Sequence, residues 1–207
     1  MFFSKIGIKK YYNHTIIIIS LLLIGCYTED YSVLNRNIAF GDSHISRWDF
    51  NFHMKNSSFI NYGIRGEKLN QSFLRLKKFL ENNVAADIIF LSGNNDVYSC
   101  KDQDCFNKVK SDYLKIINEL DLLLNDRPKI RLFILSLIPT ENCLYIVELN
   151  KTLEKELQNS YSVSFVNITK VFQLGIDQCI HSDFTTDNIH LNELAYEKIS
   201  RLLASSF

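Results

Sequence analysis

Two short segments of the 207-residue sequence combine residue types that nucleophilic and acid–base chemistry uses. Gly41-Asp42-Ser43 follows an apolar stretch, and the glycine permits a sharp turn after which Ser43 would begin a helix with its hydroxyl exposed. Asp187 lies three residues before His190, so its carboxylate can accept the Nδ1 proton and leave Nε2 to act as a base. Taken alone, the first segment is equally typical of a turn with a helix N-cap, and the second of a surface pair that caps a helix.

Two further segments offer hydrogen-bond donors for a developing negative charge. The first, Asn61–Glu67 (NYGIRGE), contains two glycines that permit an unusual backbone path, and Gly66 at the head of a helix would present a free N–H. In the second, Ser92–Asp96 (SGNND), the Asn95 side-chain amide can point toward the same place. Asp96 suits loop bracing or helix capping better than chemistry. Each segment alone is an ordinary loop.

The hydrophobic pattern predicts the elements that position these segments. Short apolar runs predict strands, and apolar residues at three- and four-residue steps predict helices. Because the two types alternate, we expect an α/β fold of three layers, with a flavodoxin-like, doubly wound sheet of about five parallel strands. The polar segments follow the first three strands or precede the last helix, where such folds bind ligands. The predicted strands are 37–41, 58–61, 86–92, 129–137 and 162–167, and the predicted helices are 69–80, 106–124, 142–157 and 191–203.

The first residues are typical of an export signal. Three lysines precede an apolar run at 16–24, which is too short to span a bilayer but suits a signal peptide. The run ends in Leu-Ile-Gly-Cys26, which resembles the lipobox of bacterial lipoproteins, whose cysteine is acylated after cleavage. We therefore expect a signal peptide at 1–25, a lipid on Cys26 and a tether at 26–35. The resemblance implies an exported, membrane-anchored protein, in the outer membrane or periplasm of a diderm cell and at the cell surface otherwise. A plain signal peptide or an uncleaved anchor is the alternative.

Composition limits the partners and the compartment. Hydrophobic residues make up 46% and charged residues 22%, as in a globular protein, and the length suits one domain at 36–207. Because 23 basic residues balance 23 acidic ones, strong generic attraction to nucleic acid is excluded. Four cysteines in this domain suggest disulfides in an exported protein, although four reduced thiols are the alternative. Cys100 and Cys105 are close enough to close a short loop, which leaves Cys143 with Cys179.

The four polar segments, in this order, resemble the SGNH (GDSL-type) hydrolase family. The resemblance runs from residue 37 to the C-terminal helix and is closest to the small single-domain branch of carbohydrate esterases and platelet-activating-factor acetylhydrolase-like enzymes. It implies that Ser43 is the nucleophile and that Asp187 and His190 complete a catalytic triad. It also implies an oxyanion hole made by the N–H groups of Ser43 and Gly66 and the amide of Asn95. No cofactor or metal is implied.

Two other histidines lie near these segments. His44 occupies the position where the name-giving motif has leucine, and we expect a solvated or hydrogen-bonded turn residue rather than a catalytic one. His181, with Asp177 and Asp183 around it, is a second candidate base. The spacing to Asp187 and the Leu-Asn that follows favour His190.

Arg47, Trp48 and Phe50 follow the serine and could line an acyl or sugar pocket. Packing of Trp48 between helix and sheet, with Arg47 in solvent, fits their residue types better. Neither reading identifies a substrate.

The expected activity is that of a serine esterase. Such an enzyme would remove an O-acyl group, short-chain or acetyl, from a cell-surface carbohydrate or lipid through an acyl-enzyme. An O-acyltransferase would use the same residues and differ only in whether a sugar hydroxyl outcompetes water. A surface lipoprotein that binds without catalysis is the third alternative.

Overall fold

The computed structural model describes residues 37–55, 58–82, 86–172 and 174–204. Within these residues one sheet of five strands is found, and every strand pair is parallel. The spatial order is β2-β1-β3-β4-β5. The strands are β1 (Asn37–Gly41), β2 (Phe59–Gly63), β3 (Ala86–Leu91), β4 (Ile130–Leu135) and β5 (Val163–Val166).

Helices connect the strands on both faces of the sheet. They are α1 (Ser43–Ser46), α2 (Phe50–His53), α3 (Leu69–Asn82), α4 (Asn94–Tyr98), α5 (Gln103–Leu124), α6 (Cys143–Leu157) and α7 (Glu193–Leu203), with 3₁₀ turns at Ile168–Val171 and Ser182–Phe184. The step from β1 to β2 runs in one direction along the sheet, and all later steps run in the other. Because crossovers are right-handed, this reversal places α1 and α2 on one face and α3, α5 and α6 on the other. The three-layer, doubly wound α/β fold expected from the sequence is confirmed.

The reversal of strand order also fixes where a ligand can bind. β1 lies between β2 and β3, so the chain departs from the carboxyl end of β1 at the topological switch point. In open α/β sheets this crevice is the usual ligand site. The central strands are buried on both faces, and Ile88, Ile89 and Phe90 are fully inaccessible to solvent. The crevice therefore rests on a rigid apolar floor.

Several strand and helix boundaries differ from those predicted from the sequence. β2 continues to Gly63, so part of the segment expected to be a loop after this strand belongs to the strand itself. α5 begins three residues earlier than expected because the Asp102 carboxylate accepts a hydrogen bond from the Cys105 N–H at 2.8 Å. α7 begins two residues later, after Asn192, whose side chain accepts from the Ala195 N–H.

Both predicted disulfides are present. Cys100–Cys105 joins the end of α4 to the first turn of α5, and Cys143–Cys179 joins the start of α6 to the loop that follows β5. In the described part of the chain, no helix is long and apolar enough to cross a bilayer. The predicted signal peptide at 1–25, the lipidated Cys26 and the tether at 26–35 lie outside the described residues.

Candidate active site

The turn that presents Ser43 depends on its two preceding residues. A Cβ on Gly41 would lie 1.9 Å from the Leu91 carbonyl oxygen, so this close strand contact requires glycine. The Asp42 carboxylate then accepts the His44 N–H at 3.0 Å and caps α1. Ser43, as the first residue of α1, lies at the carboxyl edge of the sheet with 8% of its surface exposed. The capping interpretation of this motif is therefore correct for Asp42, and it leaves the Ser43 hydroxyl available.

A chain of hydrogen bonds joins the two segments that the sequence places 147 residues apart. The Ser43 Oγ lies 3.1 Å from His190 Nε2, and His190 Nδ1 lies 2.7 Å from Asp187 Oδ2. Because an ionised carboxylate only accepts hydrogen bonds, the proton is on Nδ1, and Nε2 is the acceptor for the serine hydroxyl. The alternative base, His181, instead contacts Asp183 at 3.2 Å.

The loop that carries this pair is held by its own backbone. The Thr186 N–H donates to the His190 carbonyl at 2.8 Å, and Asn188 lies in the left-handed region at φ +65°, which asparagine tolerates. Asp187 Oδ1 accepts the N–H groups of Ile189 and His190. These hydrogen bonds, with the His190 side chain, hold the pKa of the Asp187 carboxyl well below its usual range. Asp187 is thus ionised and oriented toward the imidazole.

The two further donors expected from the sequence, Gly66 and Asn95, lie close to each other. Gly66 has φ +74° in the loop between β2 and α3, three residues before the helix rather than at its head as expected. The Asn95 Nδ2 donates to the Glu67 carbonyl at 2.9 Å, next to Gly66. This is the one hydrogen bond that the amide donates within the described residues, so its second N–H is available.

Sequence comparison identifies the family to which this arrangement belongs. The model of the family described as GDSL-like lipase/acylhydrolase matches residues 31–203. The chain belongs to this family. It is therefore an enzyme of the hydrolase class, of the esterase or lipase type. No curated protein sequence matches the chain.

Solved structures share the GDSL-like fold at low sequence identity. A Streptococcus pneumonia protein provisionally described as a platelet activating factor has a TM-score of 0.69 and 20% identity, over 94% of this chain and 98% of that one. A GDSL-like lipase from Bacteroides thetaiotaomicron has a TM-score of 0.65 and 18% identity, over 83% and 86%. An acetylxylan esterase from Geobacillus stearothermophilus has a TM-score of 0.61 and 12% identity, over 81% and 92%. At these identities the likeness concerns the fold.

A buried ionic network holds the Gly66 loop of this GDSL-like hydrolase, and sequence reasoning did not identify it. Glu67 is 8% exposed, pairs with Arg75, and accepts the Ser72 hydroxyl at 2.6 Å. The Asp96 carboxylate accepts the Leu69 N–H at 2.8 Å and so caps α3 from a different element, in agreement with its expected capping role. The sequence feature that could have pointed to this network is the acidic residue Glu67 directly after Gly66.

A second unrecognised anchor holds α1 against β2. The Asn61 amide donates to the carbonyl groups of Ile45 and Trp48 at 2.7 and 3.1 Å, and its oxygen accepts the Gly63 N–H. Asn61 thereby fixes the carboxyl end of the short helix whose first residue is Ser43. The sequence segment contained this asparagine but gave no sign of its partner.

The residues after Ser43 differ in what they contact. Trp48 and Phe50 are each 2% exposed and stack on one another, and the Trp48 indole donates to Ser200 in α7. The packing interpretation is therefore correct for Trp48 in that its side chain is buried, and its indole packs against the helices α2 and α7. Arg47 is exposed and borders a cavity beside the site.

His44 is neither solvated nor hydrogen-bonded through its ring, so that expectation is wrong. Its side chain is buried because α7 covers it, with Tyr196 donating to the His44 carbonyl at 2.7 Å. Its Nδ1 has no partner in the described residues. Burial, reinforced by His190 and Arg47, lowers the pKa of His44 to about 3, so the ring is neutral at physiological pH.

Asp42 should make the stability of this enzyme depend on pH. Burial raises the pKa of its fully buried carboxyl to about 7, and Oδ2 has no partner in the described residues. The neutral carboxyl therefore contributes its full share to the free energy of unfolding below about pH 4, which is the pKa of Asp42 in the unfolded chain. This contribution is lost as the pH rises through about 7, the pKa in the folded protein. Asp42→Asn keeps an acceptor for the His44 N–H and removes this loss.

We compare the free energies of unfolding of Asp42→Asn and the unmodified protein. The difference, variant minus unmodified, should increase by roughly 2–4 kcal/mol between pH 4 and pH 8. Urea unfolding at pH 4, 6 and 8 measures this difference. Asp49→Asn, which changes the exposed N-cap of α2 in the same way, is the matched control. A difference for Asp42→Asn that is constant over this range would contradict the buried, neutral carboxyl.

Proposed function

We propose that this protein is a serine esterase that hydrolyses O-acyl esters through an acyl-enzyme. The observation that carries the proposal is the hydrogen-bond chain from Ser43 through His190 to Asp187, with distances of 3.1 and 2.7 Å. A serine hydroxyl is a weak nucleophile until an adjacent base takes its proton. Here the base is His190, whose Nε2 lies within hydrogen-bonding distance of the Ser43 hydroxyl.

The first half-reaction forms the acyl-enzyme. Ser43 Oγ attacks the ester carbonyl as His190 Nε2 accepts its proton, and Asp187 stabilises the imidazolium that results. The carbonyl oxygen becomes an oxyanion, which the N–H groups of Ser43 and Gly66 and the free N–H of Asn95 would bind. His190 then protonates the departing alcohol. In the second half-reaction water, deprotonated by His190, releases the acid and restores Ser43.

The position of Asn95 supports its part in this oxyanion hole. Its other N–H is held by the Glu67 carbonyl, which fixes the amide beside Gly66. A donor fixed in advance stabilises the transition state without reorganisation during the reaction.

Removal of the Asn95 amide should slow catalysis and leave the fold intact. We expect Asn95→Ala to lower kcat for an acetyl ester on the order of 10²–10³-fold, because one oxyanion donor is lost. Steady-state kinetics at saturating substrate measures the effect, and Asn107→Ala, at an exposed asparagine of α5, is the control. A full-rate Asn95→Ala variant would remove this residue from the proposed site.

We also propose where the enzyme acts. The basic start, the apolar run and the Gly-Cys26 ending support export and lipid attachment at Cys26, with 26–35 as the tether to the domain. Substrates would then be acylated carbohydrates or lipids at the cell surface. The likeness in fold to a protein described as an acetylxylan esterase supports a short acyl group on a carbohydrate.

The proposed activity is tested with p-nitrophenyl esters of increasing acyl length and with a fluorophosphonate probe that reacts with activated serines. We expect turnover to be fastest for acetyl or another short chain, and the probe to modify Ser43, as mapped by peptide mass spectrometry. Absence of both turnover and Ser43 modification would refute the esterase assignment and favour a binding role.

A further inference from the structure

A cavity of about 610 Å³ is bordered by residues that are close in sequence to the proposed catalytic residues. Ser46 and Arg47 contribute one wall, within about one helical turn of Ser43. Thr186 and Leu191 contribute another, and these residues flank the Asp187–His190 loop. The cavity therefore lies against the loop that carries Asp187 and His190.

Two arginines border this cavity, Arg47 from α1 and Arg65 from the loop after β2. Both are exposed, and neither guanidinium has a carboxylate or carbonyl partner within the described residues. The other arginines of the described part are all engaged. Arg75, Arg131 and Arg201 pair with Glu67, Asp87 and Glu197, and Arg127 donates to the Leu80 carbonyl.

Apart from the Ser46 hydroxyl, the remaining polar groups of the cavity already have partners. The carboxylate of Glu193, which lines the cavity, contacts His53 Nε2 at 2.8 Å. The Thr186 hydroxyl donates to the His190 carbonyl, and Tyr196 donates to the His44 carbonyl. The Asn192 amide donates to the Asp183 carbonyl and accepts from the Ala195 N–H. The unused hydrogen-bonding capacity of the cavity thus consists chiefly of two guanidinium groups.

We infer that this cavity is an anion-binding subsite, and that the preferred substrate carries a phosphate or carboxylate group on the alcohol side of its ester. Guanidinium groups bind such oxyanions through paired, charge-assisted hydrogen bonds. The alcohol side follows from the mechanism, because His190 protonates the leaving alcohol and the cavity lies against the His190 loop. The inference rests on the proposed esterase function.

The test compares acetyl esters that differ only in the charge of the alcohol. 1-Acetylglycerol 3-phosphate is compared with 1-acetylglycerol, and 4-acetoxybutanoate with 4-acetoxybutanamide. We expect the full-length protein to prefer the anionic member of at least one pair at least tenfold in kcat/KM, and the preferred pair distinguishes phosphate from carboxylate. We expect Arg47→Gln and Arg65→Gln each to lower that selectivity ratio at least fivefold, and Arg201→Gln, an exposed arginine of α7, to leave it unchanged.

Equal kcat/KM for the anionic and neutral members of both pairs would overturn the subsite while the esterase function stands. A selectivity ratio that is unaffected by either cavity substitution would overturn it as well. Failure of the unmodified protein to hydrolyse any of the four esters would overturn the subsite alone if p-nitrophenyl esters are still turned over. If neither these esters are turned over nor Ser43 is modified by the fluorophosphonate probe, the esterase function is refuted as well. Should either variant fold poorly, the unmodified protein alone decides. Its selectivity should fall as NaCl rises from 20 to 500 mM, because salt screens the guanidinium charges, and a constant selectivity would contradict the proposal.

Discussion

Ser43→Ala is expected to lower kcat/KM for a short-chain acyl ester on the order of 10⁴-fold or more. The oxygen removed is the atom that would form the acyl-enzyme, and His190 Nε2, 3.1 Å away, would retain no partner to activate. The effect on the fold should be small, since the cap of α1 is the Asp42 side chain rather than the serine hydroxyl. Steady-state hydrolysis of p-nitrophenyl acetate measures the loss, and far-ultraviolet circular dichroism measures the fold.

Ser111→Ala is the matched control, because Ser111 is an exposed serine within α5. It should retain full turnover and full fluorophosphonate labelling, whereas Ser43→Ala should show neither. Turnover by Ser43→Ala at the unmodified rate would mean that another group attacks the ester. Retained labelling in Ser43→Ala would point to the same conclusion by an independent measurement.

The elements that position this serine could be predicted because their signals are local. The predicted and observed bounds of β1 agree, since its apolar run ends in a glycine that a close strand contact requires. The spacing of apolar residues such as Val109, Tyr113 and Ile117 along one face predicts the long helix α5. The helix begins three residues earlier than predicted, because the Asp102 cap lies outside this apolar pattern. The parallel arrangement followed from the alternation of strands and helices.

What the sequence did not reveal was interaction between distant segments. Glu67 pairs with Arg75, eight residues away, and its loop is also held by Asn95, which is 28 residues away. Neither partner has a characteristic spacing. Arg47 and Arg65 lie in separate segments of the sequence, and only the fold places them on one cavity. The sequence predicts a solvated or hydrogen-bonded turn residue at His44, because the covering helix α7 begins almost 150 residues later.

Ser43 and His190, which are 147 residues apart in the sequence and 3.1 Å apart in the structure, are the strongest case of such long-range placement. The structure brings the side chains of the Asp187–His190 pair and Ser43 together, and it places His181 against Asp183 instead. The geometry therefore makes a prediction that separates the two candidate bases. His190→Ala should lower kcat on the order of 10⁴–10⁶-fold, close to the effect of Ser43→Ala, because nucleophile and base act as one unit.

His181→Ala serves as the matched control, since His181 is an exposed histidine in the same C-terminal region. It should keep kcat within about twofold, as surface substitutions away from a site have small effects. The double variant Ser43→Ala/His190→Ala should be no slower than either single variant, because each substitution already disables the same proton transfer. Multiplied effects in the double variant would show that the two residues act independently. A large loss in His181→Ala with His190→Ala unaffected would move the base to His181, and the 3.1 Å contact of His190 with Ser43 would then have no catalytic meaning.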